Sequence, residues 1–426
     1  VVKRKTTTFF ERTSRRRAGP TCIDLFSGAG GLAEGFRQAG WSVLAGNDAD
    51  AHAGETFRLN FPEASFFEGS IAHLDPAALL ADAGLKPGEL DCLIGGPPCQ
   101  SFSYNNHQRS ATNARAQLFR RYLSVVKALN PKTLVMENVP GMLTIGGGRI
   151  VNEIEGELGD LGYQVEIRIL YAEDFGVPQT RRRVFVVASR VGPPGEMFPI
   201  GTHGPATKPD PATNPFVHRW ELPSGRQALP LVTVGEAIGD LPKLWSGGGK
   251  PERSYSRPVR SAFQATARKG AQTLHNHICH ALTPALIERI VHVPEGGNWR
   301  DIPRRLLTAG MRRAKKSCHT KRYGRLDRDG LSSTLLTKCD PHWGAYVHPT
   351  QNRTISVREA ARLQGFPDRF RFAGPFIHSH YTQVGNAVPV PVAKALGKAA
   401  RHHLKAHAEA KTTKPAEAVP GGLQAA

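Results

Sequence analysis

One cysteine, one glutamate and a run of arginines stand where short apolar stretches end, and side chains at strand ends can converge on a single ligand. Cys99 lies in Gly95-Gly96-Pro97-Pro98-Cys99-Gln100-Ser101-Phe102-Ser103, a turn that closes the apolar run from Leu90 to Ile94. Two prolines fix φ and two glycines let the backbone pass close to a neighbour, so a thiol here is held in place before its substrate arrives, as a nucleophile requires. The competing reading is a small buried hydrophobe after a strand. An unperturbed thiol, pKa about 8.5, is only about 3% thiolate at pH 7, so a nucleophilic Cys99 needs up to roughly 2 kcal/mol of anion stabilisation. Glu137 ends the run Thr133-Leu134-Val135-Met136 and precedes Asn138-Val139-Pro140. A carboxylate at a strand tip facing the same edge as a thiol suits an acid/base partner, with a helix cap or a surface ion pair as the alternative. Gln179-Thr180-Arg181-Arg182-Arg183 runs into Val184 to Ala188, and alternation sets Arg181 and Arg183 on one side and Arg182 on the other. Two guanidiniums on one side suit phosphate or a polarised carbonyl; an exposed basic strand end is the alternative.

The elements that must position these groups read as an α/β fold. Thr21-Cys22-Ile23-Asp24-Leu25-Phe26 is a short strand, followed by Ser27-Gly28-Ala29-Gly30-Gly31-Leu32 and a helical pattern through Phe36. Strand, glycine turn and helix open a nucleotide-type fold, in which a ligand lies against backbone at the sheet's carboxyl edge. The next strand, 41–45, ends in Gly46-Asn47-Asp48, which brings a carboxylate to a second strand tip about twenty residues beyond the glycines, where it can take both hydroxyls of a ribose. A nicotinamide enzyme looks the same to this point. A helix near 51–60 leads to a third tip, Phe67-Glu68-Gly69-Ser70-Ile71. Residues 103–117, polar and poor in large apolar side chains, read as a mobile loop able to close over a ligand. Helices are expected at 118–129 and 150–161, with a strand at 164–171 between the second helix and the arginines.

With 426 residues, 40% of them apolar, the chain has room for two domains or one large domain with an insertion. No run approaches eighteen uncharged apolar residues and no signal-peptide core precedes the fold, so neither a membrane span nor secretion is expected. Six cysteines without a CxxC pair suit a reducing compartment, here the cytoplasm. Against 36 acidic side chains stand 56 Lys and Arg, a net charge of +20 that points to a polyanionic partner, nucleic acid first. Residues 1–19 read as a disordered basic arm, and 192–260, rich in Gly, Pro and Ser, as loops and short strands added to the core. His275 to His280, Cys318-His319 and Cys339 to His342 fit no structural zinc spacing and read as polar contacts near DNA, so no metal is expected. Ser356 caps a helix over 357–364 with Glu359 completing a capping box, and Leu363 and Phe366 are core anchors of what reads as scaffold. A last helix over 392–403 packs back on the first lobe, and a disordered tail begins at about 405.

The set DLFSGAGG, GGPPCQSFS, ENVPGM, QTRRRVFVVA, REAARLQGFPD and QVGNAVPVPVA, in this order, resembles the DNA (cytosine-5)-methyltransferases of bacterial restriction-modification type, closely over 21–190 and 323–398. The resemblance implies a Rossmann-like S-adenosylmethionine-dependent core in two parts, 20–191 and 354–404, around an inserted, smaller, loop-rich target-recognition domain, 192–353. It implies a monomer acting on double-stranded DNA and paired with a restriction endonuclease. Cys99 resembles the nucleophile that adds to carbon 6 of a flipped-out cytosine, and Glu137 the carboxyl group that grips ring nitrogen 3 and the exocyclic amine. Arg181 and Arg183 resemble the pair that orients the glutamate and contacts the cytosine carbonyl. For the cofactor, Phe26 resembles the ring packed on adenine, Ser27, Gly28, Gly30 and Gly31 the turn beneath the methionine part, and Asp48 the ribose carboxylate. Ala49 stands where an aromatic is common and Ser70 where an aspartate often reads the adenine amine. Ile71, Pro98, Leu118, Asn386 and Ala387 complete the cofactor wall. Gln100, Ser101, Arg115, Arg325, Thr334 and Leu335 are the implied DNA contacts. An RNA-directed enzyme of the same chemistry and a silent DNA-binding homologue remain as alternatives.

Overall fold

The structure, a computed structural model, describes residues 19–98, 114–204, 214–218 and 220–412. The basic arm through residue 18, the turn from Cys99 through Gln100 and Ser101 with the polar stretch to 113, and the chain beyond 412 lie outside the described residues.

β1 (Thr21–Leu25), β2 (Ser42–Asp48), β3 (Ser65–Glu68), β4 (Cys92–Gly95), β5 (Thr133–Asn138), β6 (Gln164–Tyr171), β7 (Gln179–Thr180) and β8 (Arg182–Ser189) carry the first half of the chain. All but β7 form one seven-stranded sheet in the order β3-β2-β1-β4-β5-β8-β6. The first five strands are parallel, and β8 runs antiparallel to both β5 and β6. Chain order reverses between β1 and β4, the crevice where open α/β sheets bind ligands. The strands are nearly continuous apolar runs because both faces are covered. Cys22 of β1 packs with Phe36 of α1 (Gly31–Gln38) on one face, while Ile23 and Leu25 pack on the other against a layer that holds Leu123 of α4 (Ala114–Leu129) and Ile154 of α5 (Arg149–Asp160). Two further helices, α2 (Ala51–Asn60) and α3 (Pro76–Ala83), are set into the β2 and β3 units by the Asp50 and Asp75 N-caps. Helix α4 begins four residues before the expected start, at Ala114.

Residues 192–353 hold the short helices α6 (Val234–Ile238), α7 (Ala262–Arg268), α8 (Pro284–Ile290) and α9 (Ala309–Arg313). Their strands are β9 (Gly249–Arg253), β10 (Leu274–Ile278), β11 (Gly324–Arg325), β12 (Ser332–Ser333) and β13 (Ala345–Val347). The sequence reading of loops and short strands missed α6, whose signal was present: Thr233 and Glu236 form a capping box. Part of this segment shares the main core, since Val234, Ala237 and Leu274 pack with Val357, Ala361 and Phe366. A satellite core of Leu286, Ile290, Val293, Trp299, Ile302, Tyr323 and Val347 is its own.

The return segment forms α10 (Val357–Leu363), α11 (Ile377–Asn386) and α12 (Val390–Thr412). The capping box of Ser356 and Glu359 is present, and Leu363 and Phe366 are fully buried. Helix α10 is scaffold: Arg362 joins Asp240 to Asp368 in a buried ion cluster, and Arg358 donates to the carbonyls of His275, Pro367 and Phe370. A correction concerns α12, which continues to Thr412 instead of yielding to a tail at 405. Ala, Lys and Glu there are good helix formers, no proline intervenes, and His407 is fastened to Glu196. No helix among the described residues is long and apolar enough to cross a membrane.

Candidate active site

The parallel pairing of β4 with β5 aligns Gly95 with Met136, so the chain leaving β4 passes the tip of β5. A Cβ placed on Gly96 would lie 3.4 Å from Glu137 Oε2, and Asn138 Nδ2 donates to the Pro97 carbonyl at 3.0 Å. The chain entering the Cys99 turn is thereby tied to Asn138 at Pro97, with Gly96 close beside Glu137. Sequence reasoning gave Asn138 no role, although its neighbour was singled out. Glu137 is nearly buried, and Arg183 Nε meets its Oε1 at 2.8 Å. Burial raises the Glu137 carboxyl above the ordinary range, and the charges of Arg183 and then Arg181 pull the other way without winning. A carboxyl group whose protonated form is favoured by burial is suited to give its proton to a ring nitrogen.

Arg181 departs from expectation. It is buried, with Nη1 on the Leu335 carbonyl at 3.0 Å and Nη2 on the carbonyls of Gly385 at 2.9 Å and Ala387 at 3.1 Å. Burial and the neighbouring Arg183 lower its pKa to about 9. The glutamate is therefore oriented by Arg183, while Arg181 ties strand, inserted segment and return segment together. Arg182 is exposed, as alternation requires. Beside Arg181, the buried Gln179 accepts from Leu335 N at 2.9 Å and donates to the Leu363 carbonyl and to Gln364 Oε1, and Gln364 donates to the carbonyls of Val384 and Ala387. Neither glutamine was assigned a role from sequence, although both lie inside the motifs quoted above.

The glycine turn leaves β1 through Phe26 and Gly28, both at positive φ, 55° and 52°. Nothing lies within 4 Å of the point where a Cβ on Gly28 would be, so a ligand can rest against this backbone. Gly31 is required for packing: a Cβ there would meet the Val388 carbonyl at 2.8 Å and Ala387 at 3.0 Å. Gly30 faces Phe61 in the same way, and Ser27 is buried with its N–H on the Asn47 carbonyl. Asp48 Oδ2 accepts from Gly28 N at 2.7 Å and Oδ1 from Asp50 N at 2.8 Å, while burial raises its pKa against these donors. Phe26 packs 6.5 Å from the Tyr122 ring of α4, and half-buried Leu118 lies on the same helix. Ser70 Oγ caps Ala72 N at 3.3 Å, Ile71 is buried, Ala49 is exposed, and Asn386 is exposed beside the buried Ala387.

Of the implied DNA contacts, Thr334 lies beside β7, while the Leu335 side chain is buried in the main core and offers no surface to DNA. The β12–β7 pairing brings Thr334 Oγ1 to the Thr180 carbonyl at 2.7 Å. Arg325 is likewise committed inside the protein. Its five N–H groups are all spent, on the carbonyls of Val293, His348, Gln351 and Ile290 and on Asn352 Oδ1, which leaves none for a base or a phosphate. His277, read from sequence as a polar contact near DNA, is buried between Ser356 Oγ and the Pro242 carbonyl, both at 2.8 Å. Cys99, Gln100 and Ser101 lie outside the described residues, as does the side chain of Arg115.

A mainly parallel sheet with an order reversal, a glycine turn and an acid at the next strand tip define a Rossmann-like α/β fold of the kind that holds nucleoside-containing cofactors, here with a glutamate–arginine pair at the same edge. Residues 20–402 match the family of C-5 cytosine-specific DNA methylases, and the chain belongs to it. That makes it a member of a class of S-adenosylmethionine-dependent DNA methyltransferases. It is 32% identical to the type II methyltransferase M.AgeI of Thalassovita gelatinovora, over 88% of this chain and 98% of that one. It is equally 32% identical to DNA (cytosine-5)-methyltransferase 1A of rice over 90% of this chain, which spans 28% of that relative. An Escherichia coli prophage protein described as a DNA modification methyltransferase has the same fold, with a TM-score of 0.64 at 24% identity over 91% of this chain and all of that one. The residues present fit the family's cofactor: open space over Gly28 admits a methionine chain and Asp48 stands at ribose position. On the side of the third strand tip Ile71 is buried, Ala49 offers no ring, and Ser70 Oγ caps a turn while keeping one lone pair.

Proposed function

We propose that this protein methylates carbon 5 of a cytosine extruded from duplex DNA, through a covalent bond from Cys99 to carbon 6. The observation that carries the reading is the Glu137 carboxyl group, held by Arg183 at 2.8 Å, raised in pKa by burial and set beside the turn that leads to Cys99. Glu137 gives its proton to ring nitrogen 3 and accepts from the exocyclic amine, which makes carbon 6 electrophilic as the Cys99 thiolate attacks it. Arg183 steadies the carboxyl group and supplies positive potential that favours the thiolate. S-adenosylmethionine, when bound, supplies the methyl group. Loss of the carbon 5 proton to water and elimination of the Cys99 thiolate, with the nitrogen 3 proton returning to Glu137, then restore the aromatic ring and free the enzyme. Phe26, Gly28 and Asp48 hold the cofactor, with Leu118, Pro98, Asn386 and Ala387 as the remaining wall. Thr334 stands next to the target base, and Gln100, Ser101 and Arg115 contact DNA around the vacated position, where extrusion costs a few kcal/mol.

The similarity to a bacterial type II methyltransferase supports a protective role opposite a restriction endonuclease, with the chain acting in the cytoplasm as a monomer in two functional parts, 20–191 with 354–404 for chemistry and 192–353 for recognition. Transfer of labelled methyl groups to duplex DNA and to tRNA, with Cys99→Ser alongside, tests the reading. Transfer to DNA alone, lost in the variant while salt-sensitive DNA binding persists, is expected. Transfer to tRNA alone would move the substrate to RNA, and transfer retained by Cys99→Ser would remove the nucleophile.

A further inference from the structure

Far along the chain from these residues, three side chains converge between the turn after β8 and helix α12. Glu196 Oε2 lies 2.8 Å from His403 Nδ1 and 2.8 Å from His407 Nε2. The histidines are four residues apart, on one face of α12, with ring centroids 4.6 Å apart. The turn is shaped around them. Ser189 Oγ meets His403 Nε2 at 2.9 Å, and a Cβ on Gly192 would lie 2.3 Å from His407 Nε2, so a side chain there would displace the ring from its present position. His403 is fully buried, whereas His407 and Glu196 reach solvent.

We propose that Glu196, His403 and His407 form a binding site for a divalent ion of the zinc class, completed by water. Two imidazoles and a carboxylate with an open fourth position are a donor set for such an ion, and imidazole selects it over magnesium or calcium. At bond lengths near 2.1 Å, tetrahedral ligand atoms stand about 3.4 Å apart. The three atoms already lie within 4.8 Å of one another; the half-exposed Glu196 withdraws by about half an ångström from its 2.8 Å contacts, and the partly exposed His407 ring turns to bring its Nε2 to the same spacing from the buried His403. Binding replaces the two ring protons that now point at one carboxylate oxygen. Ser189 Oγ accepts from the Val191 and Gly192 N–H groups and so donates to His403 Nε2 in the metal-free form; with the ion on Nδ1 the His403 proton moves to Nε2 and the Ser189 hydroxyl hydrogen turns away. The ion would lock α12 onto the end of the strand that begins with Arg182 and Arg183.

The competing account is a hydrogen-bonded clasp and nothing more, and Glu196→Gln separates the two. An amide oxygen still accepts from both rings but is a weak ligand for zinc. Full-length protein freed of metal by chelator is titrated with Zn²⁺ by calorimetry and by thermal melting, with Mg²⁺ as control and Co²⁺ absorbance as a report of tetrahedral geometry. One equivalent of Zn²⁺ is expected to bind and raise the melting temperature. Affinity should fall at least ~30-fold in both Glu196→Gln and His407→Ala, the former keeping the wild-type melting temperature in chelator. No saturable binding, or binding unchanged in both variants, would overturn the site. Equal loss of metal-free stability and of zinc binding in Glu196→Gln would reduce it to the clasp.

Discussion

Two arginine-rich regions of this molecule use the same side chain in opposite ways. Around α10, Arg353, Arg358 and Arg362 are fully buried and engaged by carboxylates and carbonyls, and Arg325 nearby spends every donor inside the protein. At the β7–β8 junction, Arg181 is likewise enclosed, with its terminal nitrogens on three carbonyls, whereas Arg183 gives Nε to the Glu137 carboxylate and Nη1 to the Arg182 carbonyl and keeps donors to spare among the described residues. A saturated guanidinium is a fastener. An incompletely satisfied one beside a glutamate with raised pKa has capacity left for a substrate. Motif membership does not separate the two, because Arg181 and Arg183 share one motif and only the second touches Glu137.

The largest break in this contrast should come from Glu137→Gln. It keeps shape and hydrogen bonding but removes the acid, and is expected to lower kcat by about 10²–10⁴ with folding intact, measured by methyl transfer under saturating DNA. Wild-type turnover in this variant would deny the carboxyl group its role. Asp240→Ala acts on the scaffold side. It leaves Arg362 buried with one of two partners, at an expected cost of about 3–5 kcal/mol in denaturant unfolding, and a change under 1 kcal/mol would mean the cluster is not holding α10.

Arg325→Lys sharpens the distinction between fastener and DNA contact. A lysine cannot reach five acceptors, so about 2 kcal/mol of stability should be lost while the slope of log binding constant against log salt stays unchanged. A slope reduced by about one would restore Arg325 to the DNA surface. The smallest effect is the acid sensitivity of the scaffold. Burial lowers His348 to about 4, below its ordinary value of 6.5. The unfolded chain therefore takes up a proton first, and stability is lost as pH falls from about 6.5 toward 4, by about 1 kcal/mol at pH 5.5. His348→Gln should flatten that part of the profile, and an unflattened profile would place the acid sensitivity elsewhere.

What the sequence made legible followed from local pattern. Strand, glycine turn and acid were readable as one sheet edge, where Gly28 and Asp48 do meet, and strand tips were readable as the place where Glu137 and Arg183 come together. The Ser356 capping box was readable because its partners are three residues apart. Arg325 and Arg181 were misread because their acceptors come from segments far apart in sequence: Val293, Gln351 and Ile290 for one, Leu335 and Gly385 for the other. Nothing in the immediate sequence distinguishes an arginine that will be enclosed by carbonyls from one that meets phosphate. The Glu196 cluster escaped for the same reason, since 207 residues separate its acid from the first histidine. The end of α12 was misjudged on composition, where low apolar content was weighed above helix propensity and the anchoring of His407.

The central claim is a bond between the Cys99 sulfur and carbon 6 of a cytosine, and duplex DNA with 5-fluorocytosine at the target position tests it directly. Fluorine at carbon 5 blocks the final loss of a proton, so after methyl transfer the enzyme should remain attached to the DNA. The expected product is a denaturant-resistant complex, dependent on S-adenosylmethionine, that maps to Cys99 by mass spectrometry and is absent in Cys99→Ser. Methylation of unmodified DNA together with no trapped complex, or a complex mapped to another residue, would contradict the account.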